Sequence, residues 1–556
     1  MSASARASFA PAASARSVLA PLAAILGAGL ILRLLFITGD GFHNDIAAFE
    51  SWTLTLRDNP PWQFYAKTNF SDYPPGYFVV LWVIAKLYAL VGGAGDAANG
   101  WPVLRVVVKL PAIAMDLVNA WVVYLIVRRY AAEKTALIAA AVLALNPAAI
   151  YASAYWGQVD SVSWGLVLVA LLLVLRAGDE PNKTVPRLTL AWLAFAFSIL
   201  IKPQAATLAV LFLAYPFATT DAAVRARRLA GTGAGIVAAL ALALVIGLLF
   251  HPAADVFGWL FGRYAFGSGV YAYNSVNAFN LYALRQPFWQ LDNVPMSVFG
   301  AQLGTLAAWG IALVVAATAL IVGRYLQRRD DRALLEAALL CALAFFILAT
   351  RMHERYVYGA FLLAVPLIGF GRTGGWSSFV LTVTMYLNLA YSLAYQTVME
   401  SKNPTGLDAR NLWPLVSHPA AVANVLLFFV LGYLYLGGAA DRTVAAGAAP
   451  AWPERVLAAA VAKARGWFDP REGIVPMTRR DWMFAGGIAL GAFAIAVIGL
   501  AWPPEKIFDE VYFARAGEEY LGGIMQYEWT HPPFTKLIMA LSIAIAGGLH
   551  GGGDTS

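Results

Sequence analysis

Charge is what this chain has least of. Only 13% of its 556 residues are Asp, Glu, Lys or Arg, about half the share of an ordinary soluble domain. That argues against a water-soluble globular protein. Cysteine is nearly missing as well. The single Cys341 lies in an apolar run, so an intrachain disulfide is excluded and thiol redox chemistry has little to work with. The sequence has no glycine-rich nucleotide loop, no Cys/His cluster with metal-ligand spacing and no Ser-His-Asp arrangement. Its apolar segments are too long and too uniform for the short, alternating strands of a β-barrel.

What the chain has in abundance is apolar length. It is 60% hydrophobic, with mean hydropathy +0.65. Spanning-length or slightly shorter apolar segments recur from 17–37 to 533–549. This predicts an all-α polytopic membrane protein with roughly thirteen to fifteen membrane segments. The run from Val18 to Ile37 is too long for a cleaved signal peptide and reads as a retained first helix. The 18 Trp and 24 Tyr suit an aromatic belt and an aromatic-rich site. Net charge is +7, but much of the Lys and Arg sits in short connectors, as the positive-inside rule requires. Membrane lipids are therefore expected as partners, and nucleic acid is not.

The basic connectors at 128–134, 176–187, 225–228, 324–332, Arg372 and 442–480 place those ends in the cytoplasm. The connectors between them then face outward. With an outward loop at 38–73, the segment 76–92 cannot be a simple crossing, and a dip into the bilayer and back is expected. Residues 441–482 read as a cytoplasmic linker. Within it Trp452, Val456, Ala460, Ala464 and Trp467 share one helical face, as in an amphipathic helix on the membrane surface. The linker separates a nearly complete module, 1–440, from the start of a second, 483–556, which holds one helix, one loop and one apolar segment.

The unusual polar motifs fall on the outward side. Phe42-His43-Asn44-Asp45 follows the first helix, and Ser71-Asp72-Tyr73-Pro74-Pro75-Gly76 comes shortly after. The second module repeats the design with Phe508-Asp509-Glu510 and Thr530-His531-Pro532-Pro533. An acidic loop beside a membrane helix suits glycosyl transfer from a lipid-linked sugar. That reaction needs a carboxylate to take the acceptor's proton and cations to hold the leaving phosphate.

Asp45 is the candidate general base, and Asn44 would orient the acceptor. Asp72 offers a second carboxylate, although Asp-Tyr-Pro-Pro also reads as turn chemistry. Arg351-Met352-His353-Glu354-Arg355-Tyr356 could surround a phosphate, or Glu354 and Arg355 could simply pair at a helix end. Arg105 is a further phosphate candidate. Lys109 could pair with Asp116, two turns along the same helix. Lys202, in Lys-Pro-Gln, reads as a lone intramembrane cation. Asp160 reads as a helix N-cap. Loop 251–299 carries Arg263, Tyr271, Tyr273, Asn274, Asn277 and Asn280, which can stack on and hydrogen-bond a sugar. No obligatory cofactor is expected, although paired carboxylates leave room for a divalent cation.

These stretches, with Trp156-Gly157-Gln158 and Lys202-Pro203-Gln204, span most of 40–360. In order and spacing they resemble the GT-C superfamily of membrane glycosyltransferases. Within it they resemble most the dolichyl-phosphate-glucose-dependent enzymes of N-glycan assembly and their prokaryotic relatives. The resemblance implies a GT-C fold, a polyprenyl-phosphate-linked sugar donor and a glycan, lipid or protein acceptor. It also implies a site on the outer side of a prokaryotic cytoplasmic membrane. It maps the catalytic base onto Asp45 and the donor-phosphate motif onto His353 and Arg355. The eukaryotic enzymes carry Lys where Arg355 stands here. Residues 483–549 resemble the start of a protein O-mannosyltransferase, which implies catalytic carboxylates at Asp509 and Glu510 and an accompanying His531. Phe534-Thr535 replace that family's usual Leu-Gly. A mannosyl donor is favoured over glucosyl. The competing expectation is a transporter or flippase of lipid-linked sugars, in which inverted repeats would replace the direct, partial repeat seen here.

Overall fold

The structure, a computed structural model, describes residues 15–437 apart from 92–95, 98–99, 285–287, 299–300 and 401–408. The linker 441–482 and the second-module candidates Asp509, Glu510 and His531 lie outside the described residues.

The described residues are helical nearly throughout, in keeping with the sequence. The principal helices are α1 (Ala15–Phe36), α2 (His43–Asp58), α3 (Pro75–Val91), α4 (Pro102–Val127), α5 (Glu133–Ala144), α6 (Asp160–Ala177) and α7 (Thr184–Ile201). They continue as α8 (Ala222–Phe250), α9 (Val256–Val270), α10 (Leu306–Arg328), α11 (Asp331–Leu348), α12 (Tyr358–Ala364), α13 (Arg372–Glu400) and α14 (Ala409–Leu436). One antiparallel hairpin, β1 (Pro295–Val298) with β2 (Ala301–Thr305), departs from the all-α expectation. Eight helices among the described residues are long and apolar enough to cross a membrane. Three shorter apolar helices, Ala20–Phe36, Pro75–Val91 and Pro203–Phe217, accompany them. The chain is an integral membrane protein.

Helix α11 shows how the bundle is organised. From Leu334 to Leu348 its residues are buried on nearly every side, apart from Glu336 and Phe345. A helix apolar all round belongs in the centre of a bundle. By contrast α8 and α10 leave Val237, Val245, Ile311 and Val315 exposed, the surface that a bilayer would cover. Small residues let helices approach closely. Gly359 of α12 lies against the Trp164 ring, and a Cβ there would fall 2.1 Å from the indole.

The helix junctions follow local chemistry. Asn146 accepts from the N–H groups of Ala148 and Ala149 and caps the short helix Pro147–Ile150. Pro147 then sits where its missing N–H is not needed. Asp221 caps α8 in the same way. Asp160 does not act as a cap: Val159 holds that position and Asp160 opens α6. Its carboxylate is drawn to Lys202 instead.

The segment expected to dip and return is the single helix α3, and it runs along α2. Phe49 and Trp52 of α2 meet Tyr77 and Phe78 of α3 edge to face. Further along, the Lys86 ammonium donates to the Arg57 carbonyl. At its far end Tyr88 donates to Asp96, whose carboxylate also accepts from the N–H groups of Val103 and Leu104 at the start of α4. At its near end Gly76 lies against the backbone of Leu200 at the end of α7. Both ends of α3 are thus held on one side of the bundle. Its 17 residues would reach about 25 Å, short of a bilayer core of about 30 Å. Hydropathy alone misreads it because its apolar face is spent on the aromatic face of α2. With α3 removed from the crossings, the connectors alternate from the first helix onward.

Polar groups inside the bundle answer one another. Arg33 and Asp116 are both fully buried, with Nε 2.9 Å from Oδ2. Arg33 also donates to the Gly29 and Ala144 carbonyls. Asp116 accepts from Ser153 and Tyr358 as well. The expected pairing of Lys109 with Asp116 is therefore wrong, because Asp116 is already engaged by three donors, Arg33 of α1, Tyr358 of α12 and Ser153 of the 151–155 turn. Removing one partner should leave the other charge buried and unpaired, which typically costs about 3–5 kcal/mol. Arg33→Met should lower the thermal unfolding midpoint in detergent accordingly. Arg33→Met combined with Asp116→Leu should recover part of the loss.

Candidate active site

Two cavities meet near the start of α6 and the ends of α7 and α11. The first, of about 580 Å³, is lined among others by Asn44, Asp45, Trp52, Asp72, Trp289 and Arg355. The second, of about 440 Å³, takes in Lys202, Arg263, Tyr264, Arg351 and Tyr356, with Ile311 and Phe345 forming an apolar flank. Asp72, Tyr73, Tyr271 and His353 line both.

Asp45 stands in the first turn of α2. Its Oδ2 accepts from Trp156 Nε1 at 2.9 Å and from Gln158 Nε2 at 2.5 Å. Both donors sit on an irregular stretch. A five-residue π-helical turn, Tyr151–Tyr155, precedes them, and such turns often re-aim side chains at functional sites. Gly157 between them has φ +83°, a left-handed conformation that suits glycine. Lys109, fully buried, donates to the carbonyls of Ile37, Gly39 and Tyr155. It thereby ties the segment leading to Asp45 to the one carrying Trp156.

Lys202 is not a lone cation. It lies 3.0 Å from Asp160, over the Tyr73 ring at 5.1 Å and the Tyr356 ring at 6.0 Å. Gln204 donates to the other Asp160 oxygen and accepts from Trp164. Arg263 packs over Tyr65 and Phe266, each at 5.0 Å, and has no carboxylate partner among the described residues.

The 351–356 cluster divides its labour. Arg351, at φ +64°, grips buried Asp292 with two nitrogens and donates to the Ser268 carbonyl. Thr350 donates to the same carboxylate. Arg351 therefore lines the second cavity with its charge already matched. Glu354 and Arg355 pair at 2.5 Å, as the alternative reading of that motif expected. Arg355 still lines the first cavity, and its Nε has no hydrogen-bond partner. Burial raises the Asp72 carboxyl above its ordinary range, with Arg355 and Lys202 pulling it back. Burial also holds the His353 imidazole well below its usual pKa, and Arg355 and Lys202 push the same way. His353 is thus a neutral ring in this site.

Besides Glu354, two sequence candidates fall away from the cavities, Arg105 and Asn277. Arg105 is engaged by Asp40 at 2.9 Å and Glu50 at 3.3 Å, so it braces α4 against α2. Asn277, fully buried at φ +62°, accepts from Trp289 Nε1, and its carbonyl accepts from Asn388. It fixes the chain beneath the site. Their positions in sequence could not reveal these partners. Asp292 carried no signal either: one aspartate in a long loop, it is fully buried as the anchor of Arg351 and Thr350. Among the described residues no three His, Cys, Asp or Glu side chains gather to hold a metal ion.

The neutral His353 has a consequence for stability. In the unfolded chain the ring takes a proton near 6.5, whereas the folded ring resists it to lower pH. Below about 6.5 the unfolded state binds more protons, so stability falls as pH drops through that value. Unfolding midpoints measured in detergent from about pH 7.5 down to about pH 5 should decline, and His353→Gln should flatten the decline.

Residues 72–251 match the family described as dolichyl-phosphate-mannose-protein mannosyltransferase. That match begins at Asp72. A stretch of 78 residues is 32% identical to dolichyl-phosphate-mannose–protein mannosyltransferase 1 of Saccharomyces cerevisiae, covering 14% of this chain and 9% of the yeast enzyme. Among solved structures, the Archaeoglobus fulgidus oligosaccharyltransferase AglB, in complex with an inhibitory peptide and a dolichol-phosphate, aligns with TM-score 0.37 and 14% identity. The alignment covers 75% of this chain and 56% of that one. ArnT from Cupriavidus metallidurans, bound to undecaprenyl phosphate, aligns with TM-score 0.40 and 14% identity, over 77% of this chain and 79% of that one. The chain thus spans little more than half of the archaeal enzyme and a small part of the yeast one. Over residues 72–251 the chain is thus similar to the dolichyl-phosphate-mannose-protein mannosyltransferase family, and its described residues form a predominantly helical membrane protein.

Proposed function

We propose that this chain is an inverting glycosyltransferase that moves a hexose, mannose in preference to glucose, from a polyprenyl phosphate to an acceptor hydroxyl. The acceptor is a glycan, a glycolipid or a protein. The observation that carries the proposal is the pairing of the two cavities. One holds a carboxylate, Asp45, beside Asn44. The other holds Lys202 and Arg263 beside an apolar flank. They join at Asp72, Tyr271 and His353.

The acceptor hydroxyl enters the first cavity and gives its proton to Asp45. Its oxygen attacks C1 of the sugar from the face opposite the phosphate. The new C1–O bond forms as the bond from C1 to the phosphate oxygen breaks, and the anomeric centre inverts. The electron pair leaves with the polyprenyl phosphate. Arg263 and Arg355, with Lys202 behind them, offset the charge of that phosphate, and neutral His353 can give it one N–H. The polyprenyl chain leaves along Ile311 and Phe345 toward the bilayer. The step as written draws only on side chains of this chain. The basic connectors lie at the opposite ends of the helices, which supports an extracytoplasmic site in the cytoplasmic membrane of a prokaryote. The family matched by residues 72–251 supports the mannosyl donor.

Asp45→Asn should cut transfer of labelled mannose from polyprenyl-phosphate mannose by about 10²–10⁴-fold, with donor binding retained. Arg263→Ala should instead raise the donor KM. Equal turnover by Asp45→Asn and the parent chain would remove Asp45 as the base and leave Asp72 as the remaining carboxylate of the cavity.

A further inference from the structure

We propose that Trp156 and Gln158 are positioning residues that hold the Asp45 carboxylate in one rotational setting, with Oδ2 locked to the protein and Oδ1 reserved for the acceptor hydroxyl. The proposal rests on the reading of Asp45 as the base.

Two N–H groups on different side chains converge on the same oxygen, Oδ2, at 2.9 and 2.5 Å. Among the described residues no donor reaches Oδ1. A carboxylate on a half-buried helix turn would otherwise rotate about its terminal bond, which is a soft torsion. A base that rotates spends much of its time misaligned, and misplacement of about 1 Å can cost about 100-fold in rate. Held at one oxygen by two donors, the group keeps its other oxygen directed into the cavity.

The donors are themselves fixed. Trp156 is fully buried and Gln158 is 2% exposed. The Trp156 N–H is given to Tyr151 and the Gln158 N–H to Ala152, so the π-helical turn sets where both side chains start. Gly41, at φ +58°, lies against the Trp156 backbone, where a Cβ would come within 2.8 Å of its carbonyl oxygen. Lys109 closes the arrangement by gripping Ile37 and Gly39 on one side and Tyr155 on the other. The Oε1 atom of Gln158 is buried without a partner. The amide is thus held for its N–H groups, at the cost of an unanswered carbonyl.

Gln158→Met keeps the approximate volume and removes the donor, and Trp156→Phe keeps a ring and removes the N–H. Transfer of labelled mannose from polyprenyl-phosphate mannose is measured with the full chain in detergent, alone and in the Asp45→Asn background. Each single variant should lower kcat about 10- to 100-fold with the donor KM unchanged. In the Asp45→Asn background either substitution should add little further loss, because residues acting through one group are non-additive. Gln158→His, which still presents an N–H, should recover part of the rate. Unchanged kcat in both single variants would overturn the proposal. So would losses that persist in full when Asp45 is already Asn, since that marks a structural role. Two variants guard against misfolding of either one. Full activity of Asp45→Asn would show that the base assignment, and with it any role for its holders, is wrong. Loss in Asp45→Asn with none in the two donor variants would sink the positioning role alone.

Discussion

Lys109 is the residue on which the geometry of this protein turns. It is a cation buried in a helix bundle, with no carboxylate partner among the described residues and three carbonyls in its place. Those carbonyls belong to chain leaving α1 and to the π-helical turn before Trp156. Both are stretches where the backbone stops being helical, so their carbonyls have no partner within a helix. In a bilayer, where water cannot answer them, such groups must be met from within the protein. One ammonium meets three of them and in doing so joins the segment that carries the candidate base to the segment that orients it.

The same constraint organises the rest of the site. Asp160 is matched by Lys202 and Gln204, Asp292 by Arg351 and Thr350, and Glu354 by Arg355. The first two sets tie segments distant in sequence together, whereas Glu354 and Arg355 are neighbours in one turn whose charges offset each other. Among the described residues Arg263 stands apart, held over aromatic rings without a carboxylate. A buried ion pair often contributes little net stability, yet leaves its members in a fixed place. Here that fixity supplies cavity walls, and Arg263 lines the second cavity without a carboxylate partner among the described residues.

The aromatic cluster between α2 and α3 has a related role. Phe49, Trp52, Tyr73, Tyr77 and Phe78 pack edge to face, which lays α3 along α2 and brings Asp72 and Tyr73 over the cavities. A segment that hydropathy counts as membrane is in this way held to one side of the bundle. The partial repeat at the C-terminal end carries the same order of acidic loop and Pro-Pro.

The sequence alone determined the class of the protein, because low charge and long apolar runs leave helices in a bilayer as the stable solution. It also marked Asp45, Asp72, Lys202, Arg263, His353 and Arg355, since polar residues between membrane helices are few and each needs a reason. Partners were beyond it. Arg105 and Asn277 carry the same side chains as cavity residues, and only tertiary packing delivered Asp40 and Trp289 to them, as it delivered Asp292 to Arg351 at the cavity wall. Lys109 and Asp116 share a helix in sequence, yet the fold sends one to three carbonyls and the other to Arg33. The reason is physical: hydropathy and charge are local sums that survive in one dimension, whereas an ion pair or hydrogen bond is made by whichever group the packing brings within about 3 Å.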